Sequence, residues 1–223
     1  HWLGEPSIGA LPRVLFLRTD LGIRTLEDLK RRKEPLALAG SSRGSGDSVA
    51  GEFLRSIGLP VKNVLGYRGS AASFAAIERK EADGRITSQE SVQTRYRRFL
   101  DEGMIRPILS LGKDPRLKPF PGVATLDDLN LDAGQHELAE YLIKTWSHLR
   151  IYGVPPGVPA KRLAVLREAF SEAVKSPQFI KDAARQGVPV SPSSWEEIEA
   201  DMKSLAQASP RILIMYKKLA GLK

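Results

Sequence analysis

The stretch from Leu36 to Leu54, L-A-L-A-G-S-S-R-G-S-G-D-S-V-A-G-E-F-L, constrains the fold more than any other part of the chain. An apolar run with strand character passes through a glycine- and serine-rich turn into an amphipathic helix. In an open α/β sheet such a turn sets backbone N–H groups and serine hydroxyls at a helix N-terminus, where the macrodipole favours a negative ligand. It reads as anion-binding rather than catalytic. The spacing of Gly40, Gly44 and Gly46 fits neither of the two common nucleotide phosphate loops. A plain strand-to-helix connection, with Asp47 or Ser48 as N-cap, accounts for the same residues.

The pattern recurs around this stretch. Residues 11 to 19 read as a strand, followed by a helix that Thr25 caps with Asp28 three residues on. After the Gly/Ser turn a helix runs from about Asp47 to Ile57, stopped by Gly58 and Pro60. Val61 to Tyr67 is a third strand, and Arg68-Gly69-Ser70 turns into a helix over 71–81 with Ala72, Phe74, Ala75 and Ile77 as its apolar stripe. Ala82 to Ser88 is a strand entering a helix from Gln89 to Leu100, and Met104 to Leu111 is a further strand. Four strand-loop-helix units predict a mostly parallel sheet with ligands outside the carboxyl ends of its strands. Gly40 to Asp47, Tyr67 to Ala71 and Thr87 to Gln89 then share one rim. Residues 112 to 122, rich in Lys, Pro and Gly, form a long surface loop. Beyond it come a helix over 135–149, a rigid Pro-rich segment from Val154 to Pro159, and three helices over 160–174, 177–186 and from Trp195 to about Leu219.

With 223 residues, 42% of them apolar, the chain is long enough to bury a core as one large or two small domains. It contains no cysteine, which excludes disulfides, thiolate nucleophiles and Cys-based zinc sites. No apolar run approaches the roughly 20 residues needed to span a bilayer, and the first residues lack a signal-peptide pattern. The net charge of +8 points to an anionic partner. Its densest run, Lys30-Arg31-Arg32-Lys33, sits at the end of a short helix without interleaved aromatic residues, which favours a solvated helix terminus over a nucleic-acid patch. His136 and His148 are twelve residues apart on one helix with no second ligand at i+4, so no helical zinc pair forms, and both read as surface or partly packed. Trp146, Tyr141 and Leu142 on that helix read as core. Among Ser41, Ser42, Ser45, Ser70 and Ser88, none lies in a G-x-S-x-G elbow. No metal or cofactor is expected.

These motifs resemble a known family, the Bug-type periplasmic substrate-binding receptors of tripartite tricarboxylate transporters. The resemblance runs through Thr25-Leu-Glu-Asp-Leu29, Gly40-Ser-Ser-Arg-Gly-Ser45 with Ala50-Gly-Glu-Phe53, and Gly66-Tyr-Arg-Gly-Ser-Ala71. It continues through Glu81-Ala-Asp-Gly84, Phe120-Pro-Gly-Val-Ala-Thr-Leu126 and Tyr152-Gly-Val-Pro-Pro-Gly-Val-Pro159. It implies a periplasmic-binding-protein-like (type II) α/β fold: a doubly wound parallel-sheet domain over 10–122, followed by a mainly helical segment over 123–223 that crosses back near residue 150 to a second, incomplete domain. It also implies a Venus-flytrap receptor in the periplasm that binds a small carboxylate without chemistry and delivers it to membrane permease subunits. The ligand-binding residues carried over are Gly40, Ser41, Ser42, Gly44, Ser45 and Asp47 in the first loop, Tyr67, Gly69, Ser70 and Ala71 in the second, and Ser88 nearby. Arg43 is unusual for the loop and either adds a bidentate contact to a carboxylate or points to solvent.

The family's opening strand and Gly-rich anion loop have no counterpart ahead of His1. On this reading one wall of the cleft is missing, ligand affinity of the chain alone is weak, and uncovered first-domain surface favours self-association. Two other classes remain to be separated. An α/β enzyme using Ser41, Ser45 or Ser70 requires a histidine and a carboxylate converging on the rim. A nucleic-acid-binding module requires Lys and Arg gathered on one face.

Overall fold

In chain order the computed structural model, which describes residues 1–6, 12–112, 120–148, 150–186, 188 and 190–222, forms β1 (Trp2–Glu5), β2 (Arg13–Arg18), α1 (Leu26–Lys30), β3 (Leu36–Ala39), α2 (Gly46–Ser56), β4 (Val61–Val64), α3 (Gly69–Glu78), β5 (Gly84–Ser88), α4 (Gln89–Gln93), α5 (Arg97–Asp101), β6 (Ile105–Leu111), β7 (Ala124–Thr125), α6 (Ala133–Ser147), β8 (Tyr152–Gly153), α7 (Ala160–Lys175), α8 (Pro177–Arg185), β9 (Ser193–Ser194), α9 (Trp195–Ala206) and α10 (Pro210–Ala220). These elements divide between two compact units, Leu11–Ile143 with Ser209–Lys223, and His1–Ala10 with Lys144–Ala208. Residues 113–119 of the expected Lys/Pro/Gly-rich loop lie outside the described residues.

The larger unit is built on a six-stranded sheet in the order β4-β3-β5-β2-β6-β7. β3 pairs parallel with β4 and β5, and β6 with β7, whereas β2 runs antiparallel to both β5 and β6. The expected mostly parallel sheet is therefore present, with its first strand reversed. The inner residues of β2, Val14, Leu15, Phe16 and Leu17, are fully buried, as a strand covered on both faces requires. An uninterrupted apolar run encodes that burial but carries no direction. From β3, α2 leads outward to β4, and α3 leads back past β3 to β5. Right-handed crossovers stepping in opposite directions put these two helices on opposite faces, which is the doubly wound arrangement.

Val14, Phe16, Ala39, Phe74, Ile77, Val92, Phe99 and Ile105 form one core cluster. Phe74 stacks on Tyr96 at 4.1 Å between ring centroids. That stack accounts for one departure from expectation: the single helix expected over 89–100 breaks at Thr94–Tyr96 into α4 and α5, and Tyr96 turns in against the core. On α3 the buried residues are Ser73, Phe74, Ala76 and Ile77, so the stripe is rotated by one residue at Ala72 and Ala75. A Cβ at Gly84 would lie 2.1 Å from the Phe16 carbonyl oxygen, so the close pairing of β5 with β2 depends on the missing side chain. Thr25 and Asp28 form the expected reciprocal capping box at α1. The C-terminal helix expected from Trp195 is interrupted, because Pro210 has no N–H to donate and starts α10 behind Ser209 as N-cap. α10 packs against α2.

In the smaller unit β1 is the central strand of an antiparallel sheet in the order β8-β1-β9, and α7 and α9 pack against it. Arg167 on α7 donates from Nε to the Trp2 carbonyl (3.0 Å) and lies 3.4 Å over the Trp195 ring. His148 is more deeply packed than expected. Its side chain is only 5% exposed and bridges Glu5 (Nδ1, 3.0 Å) and Asp201 (Nε2, 2.9 Å), while Glu5 also accepts the Arg150 N–H. The hydrogen bonds to these carboxylates raise the His148 pKa above the usual histidine value. Leu142 and Trp146 on α6 are buried as expected, and Tyr141 meets Tyr216 edge-on at the half-buried margin of the larger unit. Among the described residues no helix is long and apolar enough to cross a membrane.

Candidate anion-binding site

The carboxyl ends of β3 and β5 and the start of α3 bring the expected loops together on the larger unit. The loop after β3 is clipped to the segment after β4: the Gly66 N–H donates to the Ser41 carbonyl (3.1 Å) and the Tyr67 N–H to the Gly40 carbonyl (3.3 Å). α2 begins behind Ser45 in extended conformation as N-cap, and Asp47 falls in the first helical turn rather than at the cap. The Asp47 carboxylate accepts the Ser41 N–H (3.1 Å), the Ser41 hydroxyl (3.1 Å) and the Ser45 hydroxyl. The loop thus closes on an anion of its own, which satisfies donors that were expected to face a ligand.

The other expected residues fall into three settings. Gly69 has φ of +76° and opens α3, followed by Ser70 and the exposed Ala71. Ser88 caps α4, accepting the Ser91 N–H and donating to the Ser91 hydroxyl (2.7 Å). Ser42 is exposed, and Arg43 lies over the backbone of Gly221 after α10. There, with Gly44, Glu52, Arg55 and Asn63, it borders a cavity of about 360 Å³. Ser41, Ser45, Asp47, Tyr67 and Gly40 are thus joined by hydrogen bonds, Ser70 stands at the neighbouring helix start, and Arg43 packs toward the C-terminal residues. None of these serines hydrogen-bonds a histidine among the described residues, and no group of three or more His, Asp or Glu there could hold a metal ion.

Two arginines also reach these loops and were not among the expected residues. Because β2 is reversed, its first residue, Arg13, pairs with Ser88 and Leu111 at the carboxyl ends of β5 and β6. Its guanidinium lies against the first turn of α2, with Nη2 at 2.5 Å from where a Gly46 Cβ would be. Residue 46 must therefore be glycine for that approach. Arg85 belongs to β5 and is 5% exposed. Its Nη1 donates to the Ser70 carbonyl (3.2 Å), its guanidinium lies 5.1 Å over the Phe74 ring, and its buried Nε has no hydrogen-bond partner among the described residues. Burial lowers the pKa of Arg13 to about 10 and also lowers that of Arg85, while the Asp47 carboxylate pulls both upward. For both guanidinium groups desolvation outweighs the pull of that carboxylate. A lone charged residue in the short strand Gly84-Arg-Ile-Thr-Ser88 was the available signal, since arginine is almost never fully buried without a partner.

No family model and no curated protein matches the sequence. Solved structures are similar in fold. Rpa4515 of R. palustris with adipate is 17% identical with a TM-score of 0.64, and the alignment covers 98% of this chain and 69% of that one. A TctC solute-binding protein from Polaromonas is 18% identical with a TM-score of 0.63 over 99% and 69% of the two chains. The periplasmic binding protein BugD is 17% identical with a TM-score of 0.61 over 99% and 70%. At these identities the likeness is one of architecture, and the chain has the fold of the TctC and Bug solute-binding proteins.

Proposed function

We propose that this chain is an extracytoplasmic receptor that captures a small organic acid in the periplasm and passes it to the permease subunits of a tripartite tricarboxylate-type transporter, without transforming it. The observation that carries the reading is the convergence of two helix N-termini, α2 and α3, on the carboxyl end of a sheet whose fold is shared with an adipate-bound protein. Gly40 to Ser45 and Tyr67, Gly69, Ser70 and Ala71, with Ser88, form the ligand-facing rim, and Asp47 organises the first loop. The serine hydrogen bonding argues against a loop nucleophile, because Ser41 and Ser45 donate to Asp47 and neither meets a histidine among the described residues. On the smaller unit Val165, Phe179 and Ile180 are exposed apolar side chains, which supports self-association.

Calorimetric titration against mono-, di- and tricarboxylates tests the reading. Saturable binding of at least one acid, weakened in Ser70→Ala, is the expected result. Silence across the whole panel would remove the carboxylate assignment.

A further inference from the structure

The cavity of about 360 Å³ that Arg43 borders lies in the larger unit, between the loop after β3, α2, the carboxyl end of β4 and the end of α10. None of Ser41, Ser45, Tyr67, Ser70 and Ser88 lines it. Its lining carries four charged side chains, Arg43, Glu52, Arg55 and Lys218. Glu52 is engaged within the wall: Arg55 donates to its Oε2 from Nε (2.9 Å) and Nη2 (2.6 Å), and Asn63 donates from Nδ2 to its Oε1 (3.0 Å). Arg43 and Lys218 make no hydrogen bond or ion pair among the described residues. The C-terminus of α10 offers them about half a negative charge, and Lys217 in the same turn shares it. More than one full positive charge therefore stands at the cavity without an anion. The Arg43 stem is placed by backbone. Gly44 and Gly221 have φ of +81° and +67°; a Cβ at Gly44 would lie 3.3 Å from the Ala220 carbonyl oxygen, and one at Gly221 would lie 2.3 Å from Arg43 Cδ. Two absent side chains thus let the loop and the helix end approach and lay Arg43 across residue 221.

We propose that this cavity is a second anion site, in which Arg43 and Lys218 hold the phosphate group of a phosphate monoester. The site is independent of the receptor reading. A carboxylate is satisfied by the fork of one guanidinium. Here a lysine point charge from α10 is added to the guanidinium from the loop, a pair that matches the roughly −1.5 to −2 charge and three acceptor oxygens of a phosphate group. The volume lies at the lower end of the range of about 300–1,000 Å³ for small-ligand pockets, and Leu65 and Leu219 supply apolar wall for the remainder of the molecule. The same head group occurs on a free ester and on a phospholipid.

The test is calorimetric titration of the full chain with glycerol 3-phosphate at fixed ionic strength, together with co-sedimentation on phosphatidylcholine vesicles with and without phosphatidic acid. The variants are Arg43→Met and Lys218→Met, both at exposed positions, with Lys33→Met as a control for net charge; Lys33 precedes the amino end of β3, whose carboxyl end leads to the cavity. Circular dichroism establishes that each is folded. Saturable binding is expected, weakened at least about tenfold in each site variant and by less than about threefold in Lys33→Met, a charge remote enough to be screened. Binding of the free ester in that pattern supports a soluble ligand. The same pattern on phosphatidic acid vesicles alone supports a lipid head group. Binding left intact in both site variants overturns the proposal, as does binding that falls equally in Lys33→Met, or none to ester or vesicles.

Discussion

Replacing His148 by leucine provides a measure of how the smaller unit is held together. The imidazole is buried between Glu5 on β1 and Asp201 on α9, residues far apart in sequence, at 3.0 and 2.9 Å. Hydrogen bonds to charged groups contribute about 1.5–3 kcal/mol each. The Asp201 side chain is 36% exposed, so its bond belongs at the low end of that range, and the pair together is worth about 3 kcal/mol. For a protein of this size that corresponds to roughly 6–12 °C in Tm. The effect depends on pH in a definite direction. The folded-state pKa of His148 is raised by its carboxylate partners, so the charged form is favoured by folding. Its contribution is complete below the unfolded value of about 6.5 and is lost as pH rises through the higher folded value. Urea unfolding of wild type and His148→Leu at pH 5.5 and pH 9 is the assay. The stability gap is expected to be about 3 kcal/mol at pH 5.5 and to shrink to about half at pH 9, where a neutral imidazole still makes uncharged hydrogen bonds. An equal gap at both pH values would refute the ion-pair account and leave only packing.

Three further substitutions address the larger unit. Gly84→Ala forces a Cβ to 2.1 Å from the Phe16 carbonyl, and because the obstacle is backbone the expected loss is at least about 1–3 kcal/mol in urea unfolding; a change within about 0.5 kcal/mol would mean that β2 and β5 separate freely. Gly46→Ala meets only the tip of the Arg13 side chain, so stability is expected to stay within about 1 kcal/mol, and a larger loss would show that the guanidinium cannot move aside. Asp47→Asn removes the charge that accepts the Ser41 and Ser45 donors, with an expected cost of about 1–3 kcal/mol and a larger thermal gain in succinate than the wild type shows. An unchanged gain would place the bound anion out of reach of Asp47.

Much of the architecture could be read from local signals because each has a local cause. The Thr25–Asp28 capping box, the Gly/Ser turn before α2 and the burial of Val14 to Leu17 follow from cap chemistry, backbone conformation and apolar patterning. Three features did not follow, each because a contact distant in sequence decides it. The break between α4 and α5 is made by Tyr96 stacking on Phe74. Asp47 reads as a helix cap in sequence but reaches back to Ser41 once the loop folds. Arg85 stands in a strand that is otherwise uncharged, and its burial becomes visible only when α3 brings Ser70 over it. Pro210 is a different case: its effect on the last helix is local, and the sequence carried it plainly.

The reversal of β2 links the part of the fold that patterning missed to the part of the site that it missed. In a strand parallel to its neighbours the first residue lies at the edge opposite the ligand rim. In β2 the first residue is paired with Ser88, the last residue of β5, so Arg13 arrives at the carboxyl ends of the parallel strands by topology alone. Its neighbour there is the first turn of α2, at Gly46. The Asp47 carboxylate takes the Ser41 N–H and the Ser41 and Ser45 hydroxyls and so fixes the loop ahead of α2. The direction of a single central strand thus decides which of its ends reaches this rim.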